Sequence, residues 1–131
     1  MNGVKAWWGT FYHKTFRYTL PEGATAYTMG SDKHIYRLGT DGRTIPANTA
    51  VVIISDSRNI TLTNSNAATA VTDHAPGGNI LRGSNSAVPL TNGKVGDKIP
   101  YVLGKAGNPA VLGFYRYTGS EIPANKAYYE Q

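Results

Sequence analysis

The sequence predicts an all-β protein, an antiparallel β-sandwich or flattened barrel built from two related β-meanders. Short apolar or alternating runs recur along the chain, and each run is closed by a turn signal. The 131 residues include 15 Gly and 7 Pro, which predicts many chain reversals. No window of about 11 residues keeps the three-four apolar spacing of a helix, so we expect no three-turn helix.

Ten segments have the length and residue types of strands, and the turns between them carry Gly, Asn, Asp or Ser. Residues 73–97 have no clear strand pattern except for one short strand expected near 87–90. The other predicted strands are 5–12, 15–18, 24–29, 34–38, 50–55, 59–63, 68–72, 98–103, 111–117 and 126–130.

Length and composition predict one domain, residues 1–131, and exclude several classes. The chain has no Cys, so disulfide scaffolds, thiol nucleophiles and thiolate metal sites are excluded. No run approaches the roughly 18 apolar residues of a membrane-spanning helix, and we expect no membrane insertion. The formal net charge of +5 is modest and contains no polybasic block. The first residues lack a secretion signal, so an exported protein would have this chain as part of a longer precursor.

The chain contains an internal repeat, which covers approximately residues 24–55 and 99–130. The segment Ile45–Ala50 reads Ile-Pro-Ala-Asn-Thr-Ala, and Ile122–Ala127 reads Ile-Pro-Ala-Asn-Lys-Ala. Upstream, Tyr36–Leu38 matches Tyr115–Tyr117. Each copy predicts strand, turn, strand, turn, Ile-Pro-Ala-Asn, strand, and we expect the two meanders to pack against each other.

The repeated Ile-Pro-Ala-Asn element is typical of a corner at the entry to a strand. Proline disfavours helical geometry in the residue before it, which keeps Ile45 and Ile122 extended and able to point inward. Asparagine tolerates a left-handed or turn conformation and bonds its local backbone. We therefore expect both isoleucines to be buried, with Arg37 and Arg116 facing outward.

These motifs resemble a family of all-β accessory modules. The resemblance is carried by Gly113–Gly119, Ile122–Tyr128 and the Asn-x-Leu-x-Gly pattern of Asn79–Ser84. The family lies near the C-termini of large exported or surface proteins of anaerobic gut and oral bacteria, often after leucine-rich repeats. The resemblance implies an extracellular or cell-surface location and neighbouring domains as partners. It implies no catalytic residue.

Catalytic and metal-binding signatures are weak in this sequence, and we expect neither an enzyme nor a cofactor. Most carboxylates lie in turn sequences, although Glu22 and Glu121 could approach each other in space, as a glycosidase pair would. Asp73 and His74 are adjacent, so their side chains would point apart on a strand, and no Gly-x-Ser-x-Gly elbow exists. The three His lack paired ligand spacing, so we expect no metal site.

Nucleic-acid binding is also disfavoured, although the chain is basic and aromatic. Segments such as Phe16-Arg17-Tyr18 and Tyr115-Arg116-Tyr117 alternate aromatic and basic residues. On a strand this period of two places both aromatic rings on one face and the Arg on the other. Buried rings with an exposed Arg explain these segments without a nucleic-acid partner.

Two pairs of adjacent aromatic residues are the candidate ligand-binding residues: Trp7 with Trp8, and Tyr128 with Tyr129. Strand alternation predicts that one member of each pair points away from the core. Outward rings on one open face could stack on a glycan, or a neighbouring module could cover them. The sequence therefore predicts a non-catalytic accessory module for attachment, spacing or domain docking. The alternative is a carbohydrate-binding module.

Overall fold

The computed structural model describes residues 6–65 and 70–131, and this part of the chain is all-β without a helix, as predicted. Antiparallel sheets account for the regular structure, none of them closed into a barrel, and the arrangement is consistent with a β-sandwich. The strands are β1 (Trp7–Phe11), β2 (Arg17–Thr19), β3 (Ala24–Met29), β4 (Ile35–Arg37), β5 (Thr44–Ile45), β6 (Val51–Ser55), β7 (Thr63–Ser65), β8 (Val88–Pro89), β9 (Pro100–Ala106), β10 (Val111–Arg116), β11 (Glu121–Ile122) and β12 (Tyr128–Glu130).

The two repeats form the same meander. In the first repeat β3 lies between β4 and β6, and in the second β9 lies between β10 and β12. The registers also correspond, since Tyr27 lies opposite Val52 and Tyr101 lies opposite Tyr129. The internal similarity seen in the sequence is therefore a similarity of strand pairing.

The structural repeat begins earlier than its sequence identity. In the first repeat β5 pairs with β2, and in the second β11 pairs with β8. Likewise β1 places Phe11 opposite Val51, while an isolated bridge places Arg82 opposite Tyr128. The repeats therefore start at β1 and near Arg82.

The predicted positions of the repeated isoleucines and arginines are confirmed. Ile45 and Ile122 each expose only 1% of their surface, and each lies in a two-residue strand. Arg37 and Arg116 both lie at the solvent-exposed ends of their strands. The proline that follows each isoleucine therefore fixes an extended residue at the edge of the core.

The asparagines of the two corners adopt the left-handed conformation, with φ of 58° at Asn48 and 63° at Asn125. Each donates its backbone N–H to the chain that leads out of the first strand of its own repeat. Asn48 bonds the carbonyl of His13 at 2.8 Å, and Asn125 bonds the carbonyl of Ser84 at 2.7 Å. The corner thus ties strand entry to the start of each repeat.

One hydrophobic cluster is shared by both repeats and joins them. It brings together equivalent residues, such as Ala50 with Ala127 and Val52 with Tyr129. Burial of these apolar surfaces favours the association of the two meanders. The buried members are Tyr12, Met29, Ala50, Val52, Leu81, Ala127 and Tyr129.

A second cluster belongs to the first repeat. The linker after β6 covers it with Ile60, Leu62 and Val71. The buried members are Leu20, Ala24, Ala26, Leu38, Ile45, Val51 and Ile53.

Some predicted strands differ from the observed ones. The strand expected at 59–63 is displaced, because residues 59–62 cover the second cluster and pairing with β2 begins only at Thr63. Residues 68 and 69 of the strand expected at 68–72 lie outside the described residues, and 70–72 form no strand. The two-residue strands β5 and β11 are too short to give an alternating pattern, and the sequence did not predict them.

Candidate functional site

A cleft of about 750 Å³ opens between the β3–β4 hairpin and the β9–β10 hairpin, which are equivalent elements of the two repeats. Its walls are made by corresponding residues, Met29 and Ile35 on one side and Leu103 and Phe114 on the other. Because both hairpins turn an apolar face toward the shared core, the space between their ends is lined mainly by apolar side chains. The cleft is therefore a product of the repeat.

Aromatic rings form the floor and rim of the cleft. Tyr129 is stacked on Tyr101 with centroids 5.1 Å apart and an interplanar angle of 7°. Phe114 is tilted against Tyr129 at 5.5 Å. Trp8, which is 40% exposed, lies at the rim. The arrangement combines a rigid aromatic floor with one large accessible ring.

The turn after β3 supplies polar groups at one end of the cleft. Lys33, in a left-handed conformation with φ of 67°, places its Nζ 5.3 Å from the ring centroid of Tyr129. Asp32 accepts hydrogen bonds from the Tyr36 hydroxyl and from the His34 backbone N–H, the latter at 3.0 Å. The bond from Tyr36, followed by that from His34, holds the pKa of Asp32 below its usual value. This turn presents an ammonium group, an imidazole and an ionised carboxylate.

Burial raises the pKa of Tyr129, and the nearby Tyr101 raises it further. Burial also raises the pKa of Tyr128, with a further increase from Glu130. Both phenols are therefore neutral at physiological pH and able to donate or accept hydrogen bonds.

The predicted outward member of the Tyr128 and Tyr129 pair is not found, and that expectation is wrong. Tyr128 is 6% exposed and Tyr129 is 9% exposed. Strand β12 corresponds to the interior strand β6, with β9 on one side and the Arg82 bridge on the other. Successive side chains point to opposite faces of a strand, so the burial of both tyrosines shows that both faces of β12 are covered. Of the two, Tyr129 lines the cleft.

The tryptophan pair also departs from the prediction, because neither ring is buried. Trp7 is 38% exposed and Trp8 is 40% exposed. They lie on opposite faces at the start of the edge strand β1, where the sheet gives little cover on either face. Trp7 has the Arg58 guanidinium 5.5 Å from its ring and lines a second cavity of about 220 Å³, which Trp8 also borders. Only Trp8 belongs to the cleft between the repeats.

The structure thus places Trp8 and Tyr129 at one site and Trp7 and Tyr128 elsewhere. Sequence reasoning missed Lys33, Tyr101 and Phe114. Phe114 carried a usable signal, because it corresponds to Ile35 in the repeat alignment and so lies on an equivalent hairpin.

The adjacent Asp73 and His74 have structural contacts. The Asp73 carboxylate accepts hydrogen bonds from the Thr28 hydroxyl at 2.7 Å and from two backbone N–H groups, those of Ala75 and Asn79. The His74 Nε2 lies 3.2 Å from the carbonyl oxygen of Gly39. These bonds hold the linker against the first repeat.

The described residues bring together no group of three or more His, Asp or Glu side chains that could hold a metal ion. In the same part of the chain there is no helix long and apolar enough to cross a membrane.

Comparison with known proteins gives no relative for this chain. No protein-family model matches it, and no match is found among the curated proteins or among the solved structures.

Proposed function

We propose that this chain is a non-catalytic accessory module of an exported or cell-surface bacterial protein, and that it serves attachment by binding carbohydrate in the cleft between the repeats. The observation that carries the proposal is the position of Trp8 at the rim of an aromatic cleft. An exposed indole is a natural platform for the apolar face of a sugar, and a concave site adds contact area around it.

The polar groups beside the cleft favour a sugar as the ligand over a purely apolar molecule. Lys33 and His34 line the cleft beside the aromatic floor, and the Asp32 carboxylate lies in the same turn. Sugar hydroxyls both donate and accept hydrogen bonds, so a turn with donors and an acceptor suits them. The apolar walls limit the hydrogen bonds available, which favours weak binding of the kind used for reversible attachment.

A binding role is favoured over glycoside hydrolysis by the residues that line the cleft. No Asp or Glu is among its lining residues. Glycoside hydrolysis requires two carboxyl groups about 5–10 Å apart across the scissile bond. Asp32 lies in the turn beside the cleft. Its carboxylate already accepts hydrogen bonds from the Tyr36 hydroxyl and from the His34 backbone N–H.

The accessory and exported character is supported by the resemblance of Gly113–Gly119 and Ile122–Tyr128 to modules of large surface proteins. Under this proposal the neighbouring domains of a longer parent protein are the partners, glycans are the ligands, and no nucleic acid or cofactor takes part.

A second candidate function, docking against a neighbouring domain, is favoured by Trp7. Its half-exposed ring lines a second cavity together with Ile60 and Leu62, and Trp8 borders both this cavity and the cleft. An apolar surface of this kind is suited to contact with another domain of the same protein.

Affinity electrophoresis against a panel of plant and host polysaccharides tests the main proposal. We expect at least one polysaccharide to retard the protein, and Trp8→Ala to remove the retardation. Trp7→Ala is the matched control, because it removes the adjacent, equally exposed ring outside the cleft. Retardation lost equally in both variants, or absent across the panel, contradicts binding at this site. The second case leaves the docking function.

A further inference from the structure

The outer edge of strand β1 has backbone hydrogen-bonding groups that point away from its partner β6. Asn125 shows which groups these are, because its carbonyl accepts the Tyr12 N–H at 3.1 Å and its side-chain amide bonds the Tyr12 carbonyl at 2.9 Å. Tyr12 directly follows β1, and residues of a strand alternate in the direction of their N–H and C=O groups. The N–H and C=O groups of Thr10 and Trp8 therefore point to the same outer side as those of Tyr12.

Asn125 fills only the first of these positions. Their parity with Tyr12 turns the backbone groups of Thr10 and Trp8 away from β6, and among the described residues no hydrogen bond joins these groups to any other element. The edge therefore offers two successive pairs of a backbone donor and acceptor, at Trp8 and Thr10. They continue the row that begins with the Tyr12 pair bonded by Asn125.

A groove runs beside this open edge. A cavity of about 260 Å³ is lined on one side by Trp8, Gly9 and Thr10. The opposite side contains the apolar residues Val102, Leu103, Tyr117 and Pro123, together with the charged Lys126. An extended chain in this groove would bond β1 through its backbone and place alternate side chains against the apolar wall.

In the second repeat, the chain itself supplies hydrogen-bond partners at the positions equivalent to Thr10 and Trp8. By the register that equates Phe11 with Arg82, Thr10 corresponds to Leu81 and Trp8 to Asn79. The Leu81 N–H donates to the Asn79 Oδ1 at 3.1 Å, and the Asn79 N–H donates to the Asp73 carboxylate at 2.9 Å. The chain supplies acceptors at these two positions in one repeat and leaves them open in the other.

Protection against edge pairing is also missing from β1. Natural edge strands are protected by proline, by charge or by being very short. Here β8 contains Pro89, and β4 is three residues long and ends in Arg37. Strand β1 is five residues long, Trp-Trp-Gly-Thr-Phe, and contains no charge or proline.

We propose that the outer edge of β1 binds an extended peptide segment as an additional strand. The fitting segment has apolar residues at alternate positions, which contact the wall of Val102, Leu103 and Tyr117, and an acidic residue that pairs with Lys126. A single extended segment adds only one strand beside β1, whereas a second copy of the whole chain would have to bring its own sheet against the wall that contains Val102 and Leu103. This site is separate from sugar binding in the cleft, although Trp8 and Leu103 border both.

A phage library of random octapeptides, panned on the full chain, tests the proposal. We expect enriched peptides with alternating apolar residues and one or more Asp or Glu. The consensus peptide, labelled with fluorescein, should bind Thr10→Pro roughly tenfold or more weakly, because proline removes one outward donor. The β1–β6 ladder should survive, since proline is tolerated where its nitrogen faces away from the partner strand. Thr10→Val is the matched control, because it removes only the hydroxyl and should bind as the parent does.

Two further readouts keep the result interpretable if Thr10→Pro folds poorly. Lys126→Glu, an exposed substitution, should weaken the acidic peptide. The amides of Trp8 and Thr10 should exchange rapidly in the free protein and become protected when the peptide binds. Equal affinity for Thr10→Pro and Thr10→Val with unchanged exchange at Trp8 and Thr10, or no enrichment of alternating peptides, would overturn the proposal.

Discussion

The ring of Tyr12 packs directly on the backbone of Gly83, so closely that a Cβ at Gly83 would lie 2.2 Å from the Tyr12 Cγ. These two residues occupy equivalent positions in the repeats, each preceding the residue whose carbonyl is bonded by the corner asparagine. Contact between equivalent positions is what an approximate two-fold arrangement produces. The symmetry is broken at its centre, where one repeat supplies a ring and the other supplies the space for it.

Gly83→Ala should therefore destabilise the protein by about 1–3 kcal/mol, the range for overpacking of a well-packed core. Gly83 has no positive φ, so the cost is steric rather than conformational. Gly104→Ala is the control, because Gly104 also lacks a positive φ and a Cβ there meets nothing within 4 Å. Urea unfolding of both variants measures the difference. Equal stability of the two variants would show that the Tyr12 ring can move aside freely.

Truncation of either repeated isoleucine should cost about 2–5 kcal/mol, as expected for buried Ile→Ala substitutions. Ile45→Ala should lie at the upper end, because Ile45 belongs to the cluster that Ile60, Leu62 and Val71 cover and the cavity cannot collapse easily. Ile122 is equally buried but lies in neither cluster, so its surroundings should relax more. Chemical denaturation of both variants tests the order, and a larger loss for Ile122→Ala would contradict it.

Asn79 joins the repeats through its side chain, and its replacement should be costly. Its Oδ1 accepts from the Met29 N–H at 3.1 Å and from the Leu81 N–H, and its Nδ2 donates to the Ala50 carbonyl at 2.8 Å. Asn79→Ala leaves these groups without partners, at a cost of about 1–3 kcal/mol for an unsatisfied buried group. Asn79→Asp keeps the acceptor for both N–H groups but replaces the donated bond with a repulsive contact between a carboxylate oxygen and the Ala50 carbonyl. Because two accepted bonds are kept, thermal melts should still rank it between Ala and the parent. The reverse order would show that the donated bond dominates.

Alkaline conditions should weaken the fold through Tyr128 and Tyr129. Burial raises the pKa of both phenols above the ordinary value of 10.0, so the folded state holds its protons more tightly than the unfolded state. This contribution is fully present below the unfolded pKa and is lost as the pH rises through the folded pKa. Urea midpoints should fall above about pH 10, and less steeply in Tyr129→Phe. A Tyr129→Phe variant with an unchanged slope would contradict this origin.

The fold could be predicted from the sequence because the two repeats share a recognisable motif. The Ile-Pro-Ala-Asn identity aligned β3, β4 and β6 with β9, β10 and β12, and the observed registers agree. It stopped at residue 24 because the earlier elements share no sequence. Strand β1 reads Trp-Trp-Gly-Thr-Phe, whereas Gly78–Arg82 reads Gly-Asn-Ile-Leu-Arg. Only backbone pairing reveals that equivalence.

The candidate site was predicted only in part from the sequence. The alternation of residues along a strand does not show whether other elements cover its two faces. For Tyr128 and Tyr129 the rule of one inward and one outward ring failed, since β12 is interior and buried on both faces. For Trp7 and Trp8 it failed in the opposite sense, since β1 lies at an edge. The contribution of Lys33 depends on two hairpins that are distant in sequence and meet only in the folded protein.

The measurement that tests sugar binding most directly is the tryptophan fluorescence of Trp7→Phe during titration with a polysaccharide that retards the protein. The chain has 2 Trp, so this variant reports on Trp8 alone. Stacking of a sugar on the Trp8 ring excludes water, and we predict a saturable shift of its emission to shorter wavelength. The reciprocal variant Trp8→Phe, which reports on Trp7, should show no shift. A retarded Trp7→Phe protein whose emission stays constant to saturation would contradict binding in the cleft between the repeats.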